Sequence, residues 1–373
     1  MARVAIVGGG VFGVTTALAM RARGHDVRLH DSELPHPLAE STDISKVVRV
    51  DYGADEDYTA LGEQALAGWR RWNAAWPRPL FHETGVTFLS RAPMQPGGFE
   101  HDSYATLTRR GHALERLDAD AIADRFPAWR RGAYVDGYFN PHGGWAESGA
   151  VVAQLAAEAD ACGVRIERAR ITALADVDAD LVIVCAGSWV PLLVPELAPV
   201  LRAVGQPVFH LRPRDPSLFE AARFPVFGAD IARTGFYGFP INRDGIVKIA
   251  NHGVGITIAP GDTRPEVTPE QEAALREMLR DTFPSLLDAP IVARRLCVYC
   301  DTADGHFWIA RDPARPNVVV ATGGSGHAFK FAPVLGDLIA SIALGDPHPL
   351  ADKFRWRPEL ALGRGGEAAR HHD

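Results

Sequence analysis

The residues of this 373-residue chain with the types and spacing to do chemistry begin with Gly8-x-Gly10-x-x-Gly13. This turn stands between the apolar run Val4 to Val7 and an alanine-rich stretch of helical period, Val14 to Arg23, closed by Gly24. Backbone amides of such a turn, with Val11 and Phe12 completing it, bind a pyrophosphate at close range where a Cβ would block the approach. Asp31 follows near the roughly 20-residue offset at which an acid accepts from an adenosine ribose hydroxyl. These residues read as cofactor-binding, and the motif alone does not separate FAD from NAD.

A second glycine loop, Gly323-Gly324-Ser325-Gly326-His327, follows the strand-like run Asn317 to Thr322 and precedes the helical stretch Pro333 to Leu344. A positive helix end there would stabilise the anion that forms on the pyrimidine edge of a flavin during reduction. Nicotinamide has no such need, so the two loops together favour FAD. Cys297 and Cys300, three apart, could be a nucleophile, a redox pair or two buried hydrophobes. Lys248 interrupts the apolar run Gly245 to Ile249. Alone it could face solvent; fixed near an oxygen-reactive centre, its ammonium would stabilise superoxide and developing peroxide.

The elements that must position these residues follow from hydrophobic period. Asp26 to His30 alternates as a second strand, so the first thirty-odd residues form a βαβ unit. Leu181 to Ala186 and Asn317 to Thr322 are continuous apolar runs followed by glycine, and both extend the same parallel sheet. Phe81 to Gly98 and Val208 to His252 carry aromatics, prolines and short alternating runs, as in an antiparallel second domain inserted twice. Ala150 to Ala161 and Pro269 to Phe283 have helical spacing. The expectation is an α/β fold: a discontinuous Rossmann-like cofactor domain (1–80, 145–207, 290–362) interleaved with a substrate domain on a mixed, largely antiparallel sheet (81–144, 208–289). Residues 363–373 read as a flexible, solvated tail.

Composition narrows the function. Apolar residues make up 47% and charged residues 23%, the profile of a globular protein. A net charge of −7 without a basic cluster argues against nucleic acid. No run approaches the roughly 18 apolar residues of a membrane span, and Val4 to Val7 leads directly into Gly8 rather than into a signal-peptide cleavage site. Four scattered cysteines suit a reducing cytoplasm. The histidines show no metal-ligand spacing, so no metal is expected.

The motifs, taken in order, resemble the sarcosine oxidase group of FAD amine oxidases, which also holds pipecolate, saccharopine and fructosyl amino acid oxidases, within the D-amino-acid-oxidase-like superfamily. The resemblance rests on Gly8 to Gly13, Ser41-Thr42-Asp43-Ile44-Ser45-Lys46-Val47-Val48-Arg49, Tyr237 to Pro240, Lys248-x-x-x-His252, Cys297-Val298-Tyr299 and Gly324 to Phe331. It implies that Ser41, Ser45, Lys46, Gly187, Trp189, Gly324, Gly326, His327 and Lys330 line the cofactor, and that Cys297 attaches FAD through a thioether. It implies that Lys248 lies under the flavin and assists reaction with oxygen, and that Arg49 and Lys330 grip the substrate carboxylate. It places His252, Tyr299 and His327 around substrate and flavin, with Lys248, His252, Tyr299 and Lys330 as catalytic residues. Lys46 replaces the arginine of sarcosine oxidases and turns the resemblance toward the fructosyl amino acid and saccharopine branches.

The function expected is oxidation of a secondary amine, an N-substituted amino acid with fructosyl amino acid as first choice, with O2 reduced to H2O2. N-methyl amino acids, pipecolate and saccharopine are alternative substrates. A dehydrogenase using a carrier protein, a non-catalytic redox sensor switched by Cys297 and Cys300, and an NAD-dependent dehydrogenase are alternative functions. The partners expected are the amine and O2, and the chain is expected to be a monomer.

Overall fold

A computed structural model describes residues 1–261, 263–360 and 367–372. The chain opens with β1 (Arg3–Val7), α1 (Val11–Ala22) and β2 (Asp26–Asp31), and β1 and β2 pair in parallel from Arg3 with Asp26 to Val7 with His30. Leu181–Val184 adds to the other side of β1, and Val318–Thr322 adds to that strand, both in parallel. Every residue of these two strands is buried, as continuous apolar runs in a two-sided sheet require. Arg165–Arg168 and the antiparallel Trp308–Arg311 form the edges of this six-stranded sheet. Helices Ser148–Ala161 and Ala332–Leu344 pack against α1 and share its core.

The second sheet has nine strands, antiparallel except where Val86–Ser90 runs parallel to Val226–Ala229. Its longest strands, Leu201–Leu211 and Ile291–Thr302, pair from Leu201 with Thr302 to Leu211 with Ile291. This corrects the expected boundaries at 207 and 290, which cut through the first strand and gave the second to the cofactor domain. A strand can border a cofactor while its hydrogen bonds belong to the other sheet, and motif spacing cannot distinguish the two.

Side chains alternate across a strand, which divides this sheet into two faces. Val208, Ala250, Cys297 and Tyr299 cluster on one face. Phe209, Val247, Ile249 and Leu296 on the other join Leu275 and Leu279 of helix Pro269–Thr282 in a separate core. Lys248 therefore shares the face of Ala250 and of Cys297, and is buried there. Cys300 falls on the opposite side of its strand from Cys297. A switch between these two thiols loses its basis.

Helix Glu56–Ala75, absent from the expected elements, is capped by Asp55, whose carboxylate accepts from the Tyr58 N–H. This helix buries Trp69, which donates its indole N–H to the carbonyl of Lys330 at 2.7 Å. Among the described residues no helix is long and apolar enough to cross a membrane.

The tail also departs from expectation. Residues 361–366 and 373 lie outside the described residues, but 367–372 are packed rather than solvated. Ala369 is fully buried, Arg370 pairs with Asp301 at 2.7 Å, and the His371 N–H donates to the carbonyl of His252 at 3.0 Å. A glycine-rich end reads as loop from composition. Here its charged residues meet buried partners of opposite sign, which composition cannot show.

Candidate active site

The turn after β1 opens a cleft between β1, β2 and the second glycine loop, enclosing about 1340 Å³ of space that opens to solvent. Gly8, Gly10, Val11, Phe12, Asp31, Ser41, Lys46, Gly187, Trp189, Gly324 and Gly326 line it, as expected of cofactor residues. Gly13 lies beneath the cleft instead: a Cβ there would stand 1.7 Å from the Gly8 carbonyl oxygen, so this glycine lets α1 close on β1. Asp31 accepts from the Gly9 N–H at 2.6 Å and Ser41 Oγ from the Val11 N–H at 3.0 Å, fixing the turn. Glu40, which carried no sequence signal, enters the cleft, and burial raises its carboxyl to about 7, against the pull of Lys46 and of the nearby backbone of Cys300 and Gly326. The cradle of glycines and the acid on β2 fit FAD.

Lys46 and Gly326 border both this cleft and a second, smaller cavity of about 600 Å³ beneath the nine-stranded sheet. The Lys46 ammonium lies 3.0 Å from Cys297 Sγ, and although burial opposes it, Cys297 and Asp43 raise its pKa. Cys297 and Ser45 line neither cavity directly. Ser45 instead gives its carbonyl to Lys248 Nζ at 2.6 Å, and Asp43 pairs with the same ammonium at 2.8 Å. Burial lowers Lys248 to about 8, against the pull of Asp43 and with the push of Lys46. Burial alone would raise Asp43, but Lys248 and His210 hold it well below its ordinary value. The segment Asp43 to Lys46 therefore brings Lys46 to the junction of the cavities and holds the ammonium of Lys248, which lines neither cavity. Cys300 lines the cleft, its thiol pushed to about 12 by burial.

The second cavity gathers Arg49, His252, Tyr299, His327 and Lys330, five residues drawn from widely separated parts of the chain. Tyr299 packs so closely on Gly326 that a Cβ there would meet its ring at 2.2 Å. Lys330 Nζ donates to Tyr52 Oη at 2.9 Å and to the His327 carbonyl at 2.8 Å, and burial, with Arg49 nearby, lowers its pKa well below the usual value. Tyr52, three residues beyond Arg49, was absent from the expected set.

The hydrogen bonds revise the expected roles of the histidines. His327 contacts Tyr52 Oη through Nδ1 at 3.1 Å and the Gly305 carbonyl through Nε2 at 3.0 Å, and burial lowers it to about 3. Since a carbonyl only accepts, Nε2 carries the proton and Nδ1 accepts from Tyr52. His252 meets Glu367 through Nε2 at 2.7 Å and Tyr299 Oη through Nδ1 at 3.3 Å; burial lowers it too. Both imidazoles have their nitrogens committed to the protein, and neither is a free base.

Arg49 is revised as well. Its Nη2 pairs with Glu367 at 2.5 Å, and its guanidinium lies over the Tyr52 ring at 4.7 Å. Arg49 and Lys330, expected to grip a substrate carboxylate, both line the cavity, and Arg49 already holds a carboxylate of its own chain.

A glycine-lined dinucleotide cleft leading to a buried cavity under a mixed sheet defines a flavin-dependent oxidoreductase. Residues 3–342 match the family described as FAD dependent oxidoreductase, and the chain belongs to that family. N-methyl-L-tryptophan oxidase from Salmonella dublin is 30% identical over 364 residues, 91% of this chain and 94% of its own. Fructosamine oxidase (Amadoriase II) from Aspergillus fumigatus superposes with a TM-score of 0.82 at 24% identity, over 100% of this chain and 94% of that one. Fructosyl peptide oxidase from E. terrenum gives 0.81 at 22% identity, over 98% and 96%.

Proposed function

We propose that this FAD-dependent oxidoreductase is an oxidase of a secondary amine, an N-substituted amino acid with fructosyl amino acids as first candidates. The observation that carries this reading is the junction of cleft and cavity at Lys46, whose ammonium lies 3.0 Å from Cys297 Sγ, beside a cavity that gathers Arg49, Tyr299 and Lys330 among apolar side chains. Bound FAD would take a hydride from the carbon beside the amine nitrogen and return the electrons to O2. The names of the similar proteins, N-methyl-L-tryptophan oxidase and fructosamine oxidase, support the same class.

The chain's own residues define the conditions for that reaction. The amine must react as free base for its lone pair to assist hydride loss, and His252 and His327, with both ring nitrogens hydrogen-bonded, offer no acceptor for an ammonium proton, so the amine sheds it before entry. Neither histidine acts as a base in a reaction that needs none; water then hydrolyses the imine. Lys330 and the remaining edge of Arg49 anchor the polar end of the substrate. Lys248, charged and shielded, serves the oxygen half-reaction by stabilising developing negative charge. The Lys46 ammonium 3.0 Å from the Cys297 sulfur supports Cys297 as the residue that would hold FAD covalently. Acid-precipitated protein should stay yellow, and Cys297→Ser should release its flavin; loss of colour from both would remove the covalent link.

The oxidase reading is tested in air with fructosyl amino acids, N-methyl-L-tryptophan, sarcosine, pipecolate and saccharopine. One peroxide should appear for each amine consumed. Amine consumption without peroxide, with flavin staying reduced in air, would instead indicate transfer to a carrier protein.

A further inference from the structure

The C-terminal residues 367–372 close against the cavity, and their one acid stands where a substrate's acid would go. Glu367 Oε1 pairs with Arg49 Nη2 at 2.5 Å and Oε2 meets His252 Nε2 at 2.7 Å, with Arg49 and Glu367 side chains 7% and 4% exposed. Arg370 anchors the segment through Asp301 at 2.7 Å and the Gly253 carbonyl at 3.1 Å. A buried pair held at both ends is not readily displaced, because separating it leaves an uncompensated charge in a dry site.

The charge balance follows from these contacts. Arg49 is offset by Glu367, with Asp51 a further acid acting on it. Lys330 Nζ already gives two of its N–H bonds, to Tyr52 Oη and the His327 carbonyl. What Arg49 retains is Nη1, buried and without a hydrogen-bond partner. One unpaired N–H edge beside a fixed carboxylate suits a neutral acceptor, such as a sugar hydroxyl or an amide carbonyl. A second carboxylate placed there would lose the bidentate fork and face Glu367 at close range.

We propose that Glu367 is a specificity-determining residue that fills the carboxylate position at Arg49, so that the preferred amine bears no free carboxylate on a carbon bonded to its reacting nitrogen. The inference rests on the amine-oxidase reading and narrows its substrate class to amines remote from a carboxylate, as on a lysine side chain or at a peptide N-terminus.

Nα-fructosyl-lysine and Nε-fructosyl-lysine test this directly, being isomers that differ in the distance from amine to carboxylate. The holoprotein should be bleached anaerobically by the Nε isomer with about tenfold or greater advantage in rate over Kd, since like charges in a dry site repel strongly. Glu367→Gln keeps the shape and removes the charge. It should shrink that advantage about tenfold and tighten benzoate, followed by perturbation of flavin absorbance, by a similar factor. Glu367→Asp, which keeps the charge, should retain the wild-type preference.

Equal use of both isomers by the wild type overturns the proposal. So does a Gln variant unchanged in both isomer preference and benzoate affinity. If neither isomer bleaches the flavin but the Gln variant still tightens benzoate, the fructosyl-amine reading fails and the Glu367 assignment stands. Should Gln not support folding, removal of residues 367–373 takes away the same carboxylate, and the same benzoate shift is expected.

Discussion

Lys248 shows how a single residue acquires a role that its type does not confer. An isolated lysine in a strand usually faces water, but here alternation turns it inward, and Asp43 with the Ser45 carbonyl fixes its ammonium. Lys248→Met should leave anaerobic flavin reduction largely intact and slow reoxidation by oxygen about a hundredfold, the scale of losing one preorganised charge stabiliser. Stopped-flow mixing of reduced protein with oxygen measures it, and unchanged reoxidation would remove the role. The sign of the pH effect follows from its position near 8. The ammonium is charged below that value, so reoxidation should slow as pH rises through it, and this dependence should vanish in the Met variant.

At the scale of elements, β1, α1 and β2 were legible because apolar period, glycine spacing and Asp31 all agree on one βαβ unit. The buried strands at Leu181 and Val318 were legible for the same reason: continuous apolar runs survive only between two layers. Lys46, Lys248 and Cys297 could be picked out as site residues, and the structure brings them together. The dependence of Lys248 on Asp43 and of Lys330 on Trp69 of helix Glu56–Ala75 could not, because partners so far apart in the chain leave no local pattern. The histidines read as substrate contacts because their motif positions do not reveal which hydrogen bonds are already made. Gly13 gives the sharpest test of an element contact. Gly13→Ala would force α1 off β1, and overpacking of this kind costs about 1–3 kcal/mol. The variant should be purified with little flavin and a lowered Tm; a normally yellow, equally stable protein would contradict the close approach.

At the scale of the whole molecule, the six- and nine-stranded sheets, the segment Ser41 to Arg49 and the C-terminal residues bury a set of titratable groups. His252 and His327 are lowered from 6.5, both chiefly by burial. Asp43 and Glu367 lie well below 3.8 and 4.5 because Lys248 and Arg49 outweigh the cost of burying them. The unfolded chain therefore takes up protons before the folded one as pH falls, first at its histidines and then at these carboxyls. Between about pH 7 and pH 4.5 the buried carboxyls of Glu40 and Glu100, raised to about 7, take up protons first in the folded state and offset the histidines, so the marked loss of thermal stability should come below about pH 4.5. A Tm flat from about pH 4.5 to pH 3 would show that Asp43 and Glu367 are not buried and paired as described. Composition could not foresee this for Glu367, whose partners Arg49 and His252 lie more than a hundred residues away.

The measurement that bears most directly on function is the absorbance spectrum of the purified holoprotein under anaerobic conditions as secondary amines are added one at a time. The flavin band should be bleached by a fructosyl amine or another N-substituted amino acid and should return on admitting air. A flavin that binds in the cleft but stays oxidised with every such amine would contradict amine oxidation as the function of this site.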